Sequence, residues 1–330
     1  MKDLIDGFIS FKIHNRGRSK RTGELYRLVL NRYEGFLEGR DPLVATQDDV
    51  LFFCGLWLHK QGINPVNRHT YVSAIREFYK WLTETRRIAA SPAAAVPYPS
   101  VGFKIPRAMS MENAEKMLWA PDFNTFAGVR DGAMIALLLG CGLRVSGLVN
   151  LNLSNVTEEI IKDDRRLVLR VLEKGDRERR IPVPPQAALM LRVYMEHPDL
   201  KVIDRTLPKG DQVLFVSLRN RSCPPHEYRG ENRRLNRRAL LDLMDKYGEQ
   251  AGVPVDQRHP HAMRHLYGTE LAEEDVDLLI RQRLMGHADP KSTQIYTNLA
   301  LRKMTQESDR ANPLSKMNTP VTDILKRLKR

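Results

Sequence analysis

Residues 89–107 break this chain in two. The segment holds Pro92, Pro97, Pro99 and Pro106 with a run of alanines, and no helical periodicity passes through it. Proline lacks a backbone donor and fixes φ, so neither a helix interior nor an inner strand continues through such a stretch. Its composition is that of a linker. A chain of 330 residues has room for two or three domains and a large core. The expected division is a first domain over 1–88, the linker at 89–107, a second domain over 108–312 and a tail at 313–330.

The first domain reads as helical. Apolar spacing predicts helices over about Ser19–Leu37, Gln47–His59 and Pro65–Thr83. Trp57, Tyr71, Ile75, Phe78, Tyr79 and Leu82 recur at helical intervals and are the expected core. Between them lie Arg16, Arg18, Lys20, Arg21, Arg68, His69 and Arg76. The whole chain carries 53 Lys and Arg against 40 Asp and Glu, a formal charge of +13. Such an excess points to a polyanion, most simply nucleic acid, although it also fits a merely soluble basic protein. In that setting the interleaved cations read as a surface for duplex DNA rather than a solvated face.

Several classes are disfavoured. Cys54, Cys141 and Cys223 are odd in number and far apart, with neither a disulfide framework nor zinc spacing, which suits a reducing cytoplasm. Cys54 and Cys141 sit in apolar stretches and are expected in the core. Asp3 and Asp6 interrupt the first apolar turn, unlike a secretory signal. The longest apolar run, Ala133 to Leu143, is too short to span a bilayer, so no membrane partner is expected. The chain has no Walker-type glycine loop and no clear acidic metal cluster. The Asp163-Asp164 and Glu273-Glu274-Asp275 groups read as solvated charges. This speaks against a two-metal transposase or nuclease, and no cofactor is expected.

After the break, Ser110 is a plausible N-cap, with acidic residues in the first turn of a new helix. Ile160–Ile161, Leu167–Leu172 and Arg180–Val183 read as a small antiparallel sheet. The basic stretch 219–238 reads as a loop, and from about Asn236 the pattern is helical again.

Five segments carry chemistry: Gly-Leu-Arg-Val-Ser at 142–146, Glu-Lys-Gly-Asp-Arg at 173–177, His-Ala-Met-Arg-His at 261–265, Leu-Met-Gly-His at 284–287 and Thr-Gln-Ile-Tyr-Thr at 293–297. A phosphodiester in transfer gathers negative charge on its non-bridging oxygens, and guanidinium forks can hold both. Arg144 falls at a helix start after a turn, and Arg264 falls mid-helix. His261 and Arg264, three apart, share a helical face, with His265 beside them and His259 just upstream. His261 and His265 could bind zinc, but Ala262 stands where a metalloprotease needs Glu and no third ligand is evident. Lys174 occupies a hairpin turn and Arg177 follows it. Any one of these residues alone would read as an ordinary surface or packing group.

In this order, Arg144, Lys174, His261, Arg264, His287 and Tyr296 resemble the tyrosine recombinases, the phage-integrase and Xer-like site-specific DNA recombinases. The motifs cover about residues 105–300. The resemblance implies a mainly α protein with a small antiparallel sheet. An N-terminal helical core-binding (SAM-like) domain and an α+β catalytic domain would form a C-shaped clamp on DNA. It implies Tyr296 as nucleophile, forming a covalent 3′-phosphotyrosine without metal or ATP, and Lys174 as general acid on the leaving 5′ oxygen. Arg144, Arg264 and His287 would favour the phenolate of a tyrosine whose ordinary pKa is about 10, with His261 taking its proton. Arg177 joins the cations expected on DNA. The implied working unit is a tetramer on two DNA sites, with accessory proteins as further partners.

Two departures stand out. Gly147 replaces a Glu common in the family three residues after the first arginine, and Glu173 replaces a common Gly beside the lysine. Beyond Pro313, Thr319-Pro320 opens a short amphipathic helix with Val321, Ile324, Leu325 and Leu328 on one face. By resemblance it would be exchanged between protomers. A type IB-like topoisomerase shares this chemistry, and a catalytically silent DNA-binding or architectural protein would share the charge; both remain alternatives on the sequence alone.

Overall fold

The computed structural model describes residues 1–100, 109–173, 177–220, 223–274, 276–286, 297–317 and 320. The chain forms two compact units, Met1–Lys104 and Ile105–Arg330.

The first unit is helical: α1 Lys2–Ser10, α2 Lys20–Leu37, α3 Gln47–Phe52, α4 Leu58–Lys60 and α5 Pro65–Glu84. Local chemistry fixes the starts. Ser19 accepts the Thr22 N–H at 3.2 Å, Thr46 and Asp49 form a reciprocal capping box, and Asn64 caps α5 just before Pro65. The helix expected over 47–59 is interrupted by a wide i→i+5 turn at Phe53–Trp57, and a similar turn follows α1 at Phe11–Asn15. The helix α1 went unremarked in the sequence, although Ile5, Phe8 and Ile9 line its buried side. Tyr71, Ile75, Phe78, Tyr79 and Leu82 are buried as expected, while Trp57 is only partly covered. Within this core the hydroxyls of Tyr33 and Tyr79 lie 2.8 Å apart, and Tyr79 donates onward to the Pro42 carbonyl.

The proline-rich segment has neither helix nor strand over residues 89–100, yet it packs on this unit. Ala93 and Val96 are buried in its core, and the Tyr98 ring stacks on His69 at 4.3 Å.

The second unit begins with α6 Met111–Trp119, capped by Ser110, then α7 Phe126–Cys141 and α8 Val145–Val149. The expected sheet follows: β1 Val156–Ile161, β2 Asp164–Glu173 and β3 Arg177–Pro182, antiparallel in that order. Val156 pairs with Leu169, and Leu169 with Ile181. Next come α9 Pro185–Glu196 and α10 Pro198–Lys201. The loop at 219–238 carries short 3₁₀ turns at Pro225–Glu227 and Gly230–Arg233. The last helices are α11 Arg237–Gln250, α12 Pro260–Glu273, α13 Leu278–Met285 and α14 Thr297–Arg310.

The apolar run at 133–143 is the centre of this unit. Helix α7 is buried all round, from Gly128 to Cys141, and packs on α9 and α12. No described helix is long and apolar enough to cross a membrane. Cys54 and Cys141 are buried, and burial pushes both thiols up to about 12.

The end of α14 and the chain after it are fastened to the same core. Asn312 is fully buried, and its amide donates to the Gly140 carbonyl at 2.6 Å. Asp309 pairs with Arg166 of β2 at 2.8 Å. Lys316 bridges Glu270 at 2.7 Å and Glu274 at 2.8 Å, so Glu274, expected as a solvated charge, is engaged. The proposed tail helix at 319–330 lies outside the described residues apart from Pro320.

Candidate active site

Helix α7 ends on Gly142, which takes a left-handed φ of 55°. The chain turns there, and Arg144 becomes the N-cap residue of α8. Arg264 sits in the first half of α12, buried, on a helix started by Pro260 and by His259 Nδ1, which accepts the Ala262 N–H at 3.0 Å. Both arginines therefore occupy the positions the sequence suggested, a helix start after a turn and a mid-helix site.

The two converge on the carboxyl end of α13. That helix stops at Gly286, with φ 62°, and its final carbonyls have no helical N–H to receive. Guanidinium groups take them instead. Arg264 donates through Nη2 to the Met285 carbonyl and through Nη1 to the Gly142 carbonyl. Arg144 Nη2 donates to the Gly286 carbonyl at 3.0 Å. One arginine thus ties the turn that presents the other to the helix end that precedes His287. Cations at a helix carboxyl terminus also meet the negative end of its dipole.

Sequence reasoning missed a third member. Arg179 of β3 is buried and donates through Nη1 to the Leu284 carbonyl. Its signal was strand alternation: Arg179 and Ile181 are buried while Glu178 is exposed, so an arginine occupies an inward position of a strand. Three successive carbonyls, Leu284, Met285 and Gly286, are each bonded by a different arginine.

His261 lies at the surface on the first turn of α12, and His265 is half-buried one turn further on. Partial dehydration of the ring, then the charges of His259, Arg264, His265 and Arg237, hold His261 below its ordinary 6.5. Dehydration, then Arg264 and His259, lower His265 in the same way. Both rings are therefore neutral at pH 7, which suits His261 as a proton acceptor. Arg237, at the start of α11, is a further cation of this face that the sequence did not single out.

Gly147 is buried on α8, and a Cβ there would meet Val171 Cγ1 of β2 at 3.0 Å. A Glu at this place, common in the resembled family, would have to displace Val171. Lys174, His287 and Tyr296 lie outside the described residues, as does the side chain of Arg177.

In the first unit, Arg16, Arg18, Lys20 and Arg21 are exposed around the start of α2. Arg16 pairs with Glu84 at 3.4 Å and lies over the Phe11 ring. The α5 cations are more engaged. Arg68 is half-buried and donates to the Gly55 carbonyl at 3.3 Å. Arg76 donates to the Ala94 carbonyl at 3.0 Å and lies over Tyr98, the ring that His69 stacks against. The structure brings His69 and Arg76 together through Tyr98, a residue of the proline-rich segment.

Residues 107–303 match the family model described as the phage integrase family, and residues 5–86 match that of the phage integrase N-terminal SAM-like domain. The chain is 31% identical to tyrosine recombinase XerD of Pseudomonas putida, over 92% of this chain and 95% of that protein. It is 30% identical to tyrosine recombinase XerD of Listeria innocua, over 91% and 95%. Among solved structures, XerH site-specific recombinase bound to palindromic difH substrate aligns with a TM-score of 0.64 at 15% identity, over 91% of this chain and 81% of that one. A lambda integrase dimer bound to a COC′ core site aligns at 0.63 and 14%, over 89% and 99%. At these identities the structures speak for the fold, which is that of the helical unit and the helix-and-sheet unit described above.

Proposed function

That the chain belongs to the phage integrase family, as a site-specific tyrosine recombinase, is the premise from which we propose how its own residues cut and rejoin DNA. Tyr296 attacks a backbone phosphorus through its phenolic oxygen. The phosphorus–O5′ bond breaks, the 5′ oxygen leaves with a proton from Lys174, and the 3′ phosphate stays on the tyrosine. A 5′-hydroxyl then reverses the step on a new strand, so bond energy is conserved and no nucleotide is consumed. Arg144 and Arg264 hold the non-bridging oxygens, neutral His261 receives the phenol proton, and His287 favours the phenolate.

The observation that carries this reading is the convergence of Arg144 and Arg264 on the end of α13, directly before His287. A guanidinium is a rigid fork of five N–H donors, so backbone carbonyls can orient the same group that addresses a phosphate. The match of residues 5–86 to a SAM-like integrase domain and the recombinase relatives favour recombination over a type IB-like topoisomerase or a catalytically silent DNA-binding protein.

Duplex DNA is the proposed partner, met by residues 1–88 through Arg16, Arg18, Lys20 and Arg21, with His69 and Arg76 set around Tyr98, and by 108–312 through the catalytic set and Arg177. The proposed assembly is a tetramer on two sites, with residues 319–330 docking on a neighbouring protomer. The test is a nicked suicide substrate. Wild-type protein leaves a 3′-linked covalent adduct, and Tyr296→Phe binds the DNA but leaves none. An adduct of normal yield from Tyr296→Phe would remove Tyr296 from the mechanism.

A further inference from the structure

We propose that Arg179 is a positioning residue for strand cleavage. From β3 it holds the carboxyl end of α13, and so the point from which His287 is presented, to the base of the hairpin that carries Lys174. The inference rests on the roles given above to His287 and Lys174.

Arg179 faces inward on its strand, beside buried Ile181. A buried guanidinium destabilises a fold unless it is engaged. Here Nη1 donates to the Leu284 carbonyl, on the last turn of an eight-residue helix. A helix so short has little stability of its own, and its end is as well placed as the groups that bind it. Arg264 binds the next carbonyl and Arg144 the one after. Those two arginines are also assigned to the phosphate, whereas Arg179 is not. It is therefore the member of the trio that can keep α13 in place while the other two bind and release substrate.

Arg179 also lies five residues after Lys174 on the same hairpin. Strands β2 and β3 pair from Val168–Pro182 to Glu173–Arg177, so the anchor sits in the paired part. The general acid and the segment leading to His287 thus share one support. Arginine suits the task because its planar fork loses little freedom on binding a carbonyl.

The test uses the full chain on the suicide substrate, with DNA binding and thermal melting measured alongside. Arg179→Gln is expected to bind DNA as wild type does and to cleave about 100-fold more slowly, the scale on which misplacement by about an ångström acts. Arg179→Lys, which keeps the charge and a donor, recovers most of that rate. The distinguishing readout is a double-mutant cycle with His287→Gln. If Arg179 acts through His287, the double variant cleaves within about 2-fold of the slower single variant. Losses that multiply, or a wild-type rate in Arg179→Gln, overturn the proposal. If Arg179→Gln does not fold, Arg179→Met, which keeps the length of the side chain but no donor, carries the same cycle, and a wild-type rate or multiplying losses there have the same force. A His287→Gln single variant with full activity would bring down the role of His287 and this inference together, whereas a slow His287→Gln with multiplying losses brings down the inference alone.

Discussion

A Cβ on Gly142 would stand 2.4 Å from Cδ1 of Tyr267, and Gly142 itself has a φ of 55°. Glycine is thus required twice at the turn that presents Arg144, once by the backbone and once by a fully buried ring. Gly142→Ala should destabilise the protein by more than the ~1–2 kcal/mol that a left-handed residue with a Cβ costs. Gly210→Ala is the control for the backbone alone, since Gly210 has a φ of 82° and nothing within 4 Å of an added Cβ. Urea unfolding of both variants decides: equal losses would mean that the Tyr267 contact is relieved at no cost. Cleavage by Gly142→Ala should fall as well, because Arg144 would move.

Arg264 should matter for folding as well as chemistry. Arg264→Met leaves the carbonyls of Gly142 and Met285 without the donor that now serves them. An unsatisfied buried polar group costs about 1–3 kcal/mol. The variant is therefore expected to melt below wild type and to form no adduct. Tyr296→Phe, in contrast, should melt with wild type. A melting temperature unchanged in Arg264→Met would show that these bonds contribute little.

Acid should weaken the fold through α12. His261 and His265 are held below 6.5 in the folded protein, while in the unfolded chain they titrate near that ordinary value. Below pH 6.5 the unfolded state takes up the protons first, so stability is complete above that pH and falls as pH drops toward the depressed folded values. Replacing both residues with Gln should flatten this part of the stability profile. Unfolding free energies measured between pH 7.5 and about 5 test it, and identical slopes with and without the two histidines would refute it.

Lys174 should act on the leaving group more than on binding. Lys174→Ala is expected to cleave normal DNA slowly and to regain most of its rate on a 5′-phosphorothiolate, whose sulfur leaves without a proton. An equal defect on both substrates would exclude Lys174 as the acid.

Cleavage should also proceed in excess chelator, since the charge that a metal would meet is assigned to Arg144 and Arg264. Activity abolished by chelation and restored by magnesium or zinc would contradict that assignment.

The sequence told most about what depends on near neighbours. Ser19, Asn64 and Ser110 announce helix starts through their own side chains, and Gly142 and Gly286 announce helix ends through a backbone that favours glycine. The spacing of Tyr71, Ile75, Phe78, Tyr79 and Leu82 announced a core face. What escaped depends on distant partners. Nothing near Arg179 signals that its carbonyl partner is Leu284, 105 residues away. Nothing in a proline-rich stretch shows that Ala93 and Val96 would fill the first unit's core. The wide turn at Phe53–Trp57 escaped because its five residues hold no proline to mark an interruption of the helix.

The polar fastenings of α14 and of the chain just after it are of two physical kinds, set beside the buried side chains of Met304 and Ala311. Lys316 with Glu270 and Glu274, and Asp309 with Arg166, are ion pairs within reach of solvent. Ions in solution screen such pairs over about 8–10 Å at moderate salt. The amide of Asn312 on the Gly140 carbonyl is neutral and wholly enclosed, so salt leaves it almost untouched. Rising ionic strength should therefore weaken the first kind and spare the second, so the helix that directly follows the proposed nucleophile would gain angular play without losing its place on the buried Met304, Ala311 and Asn312.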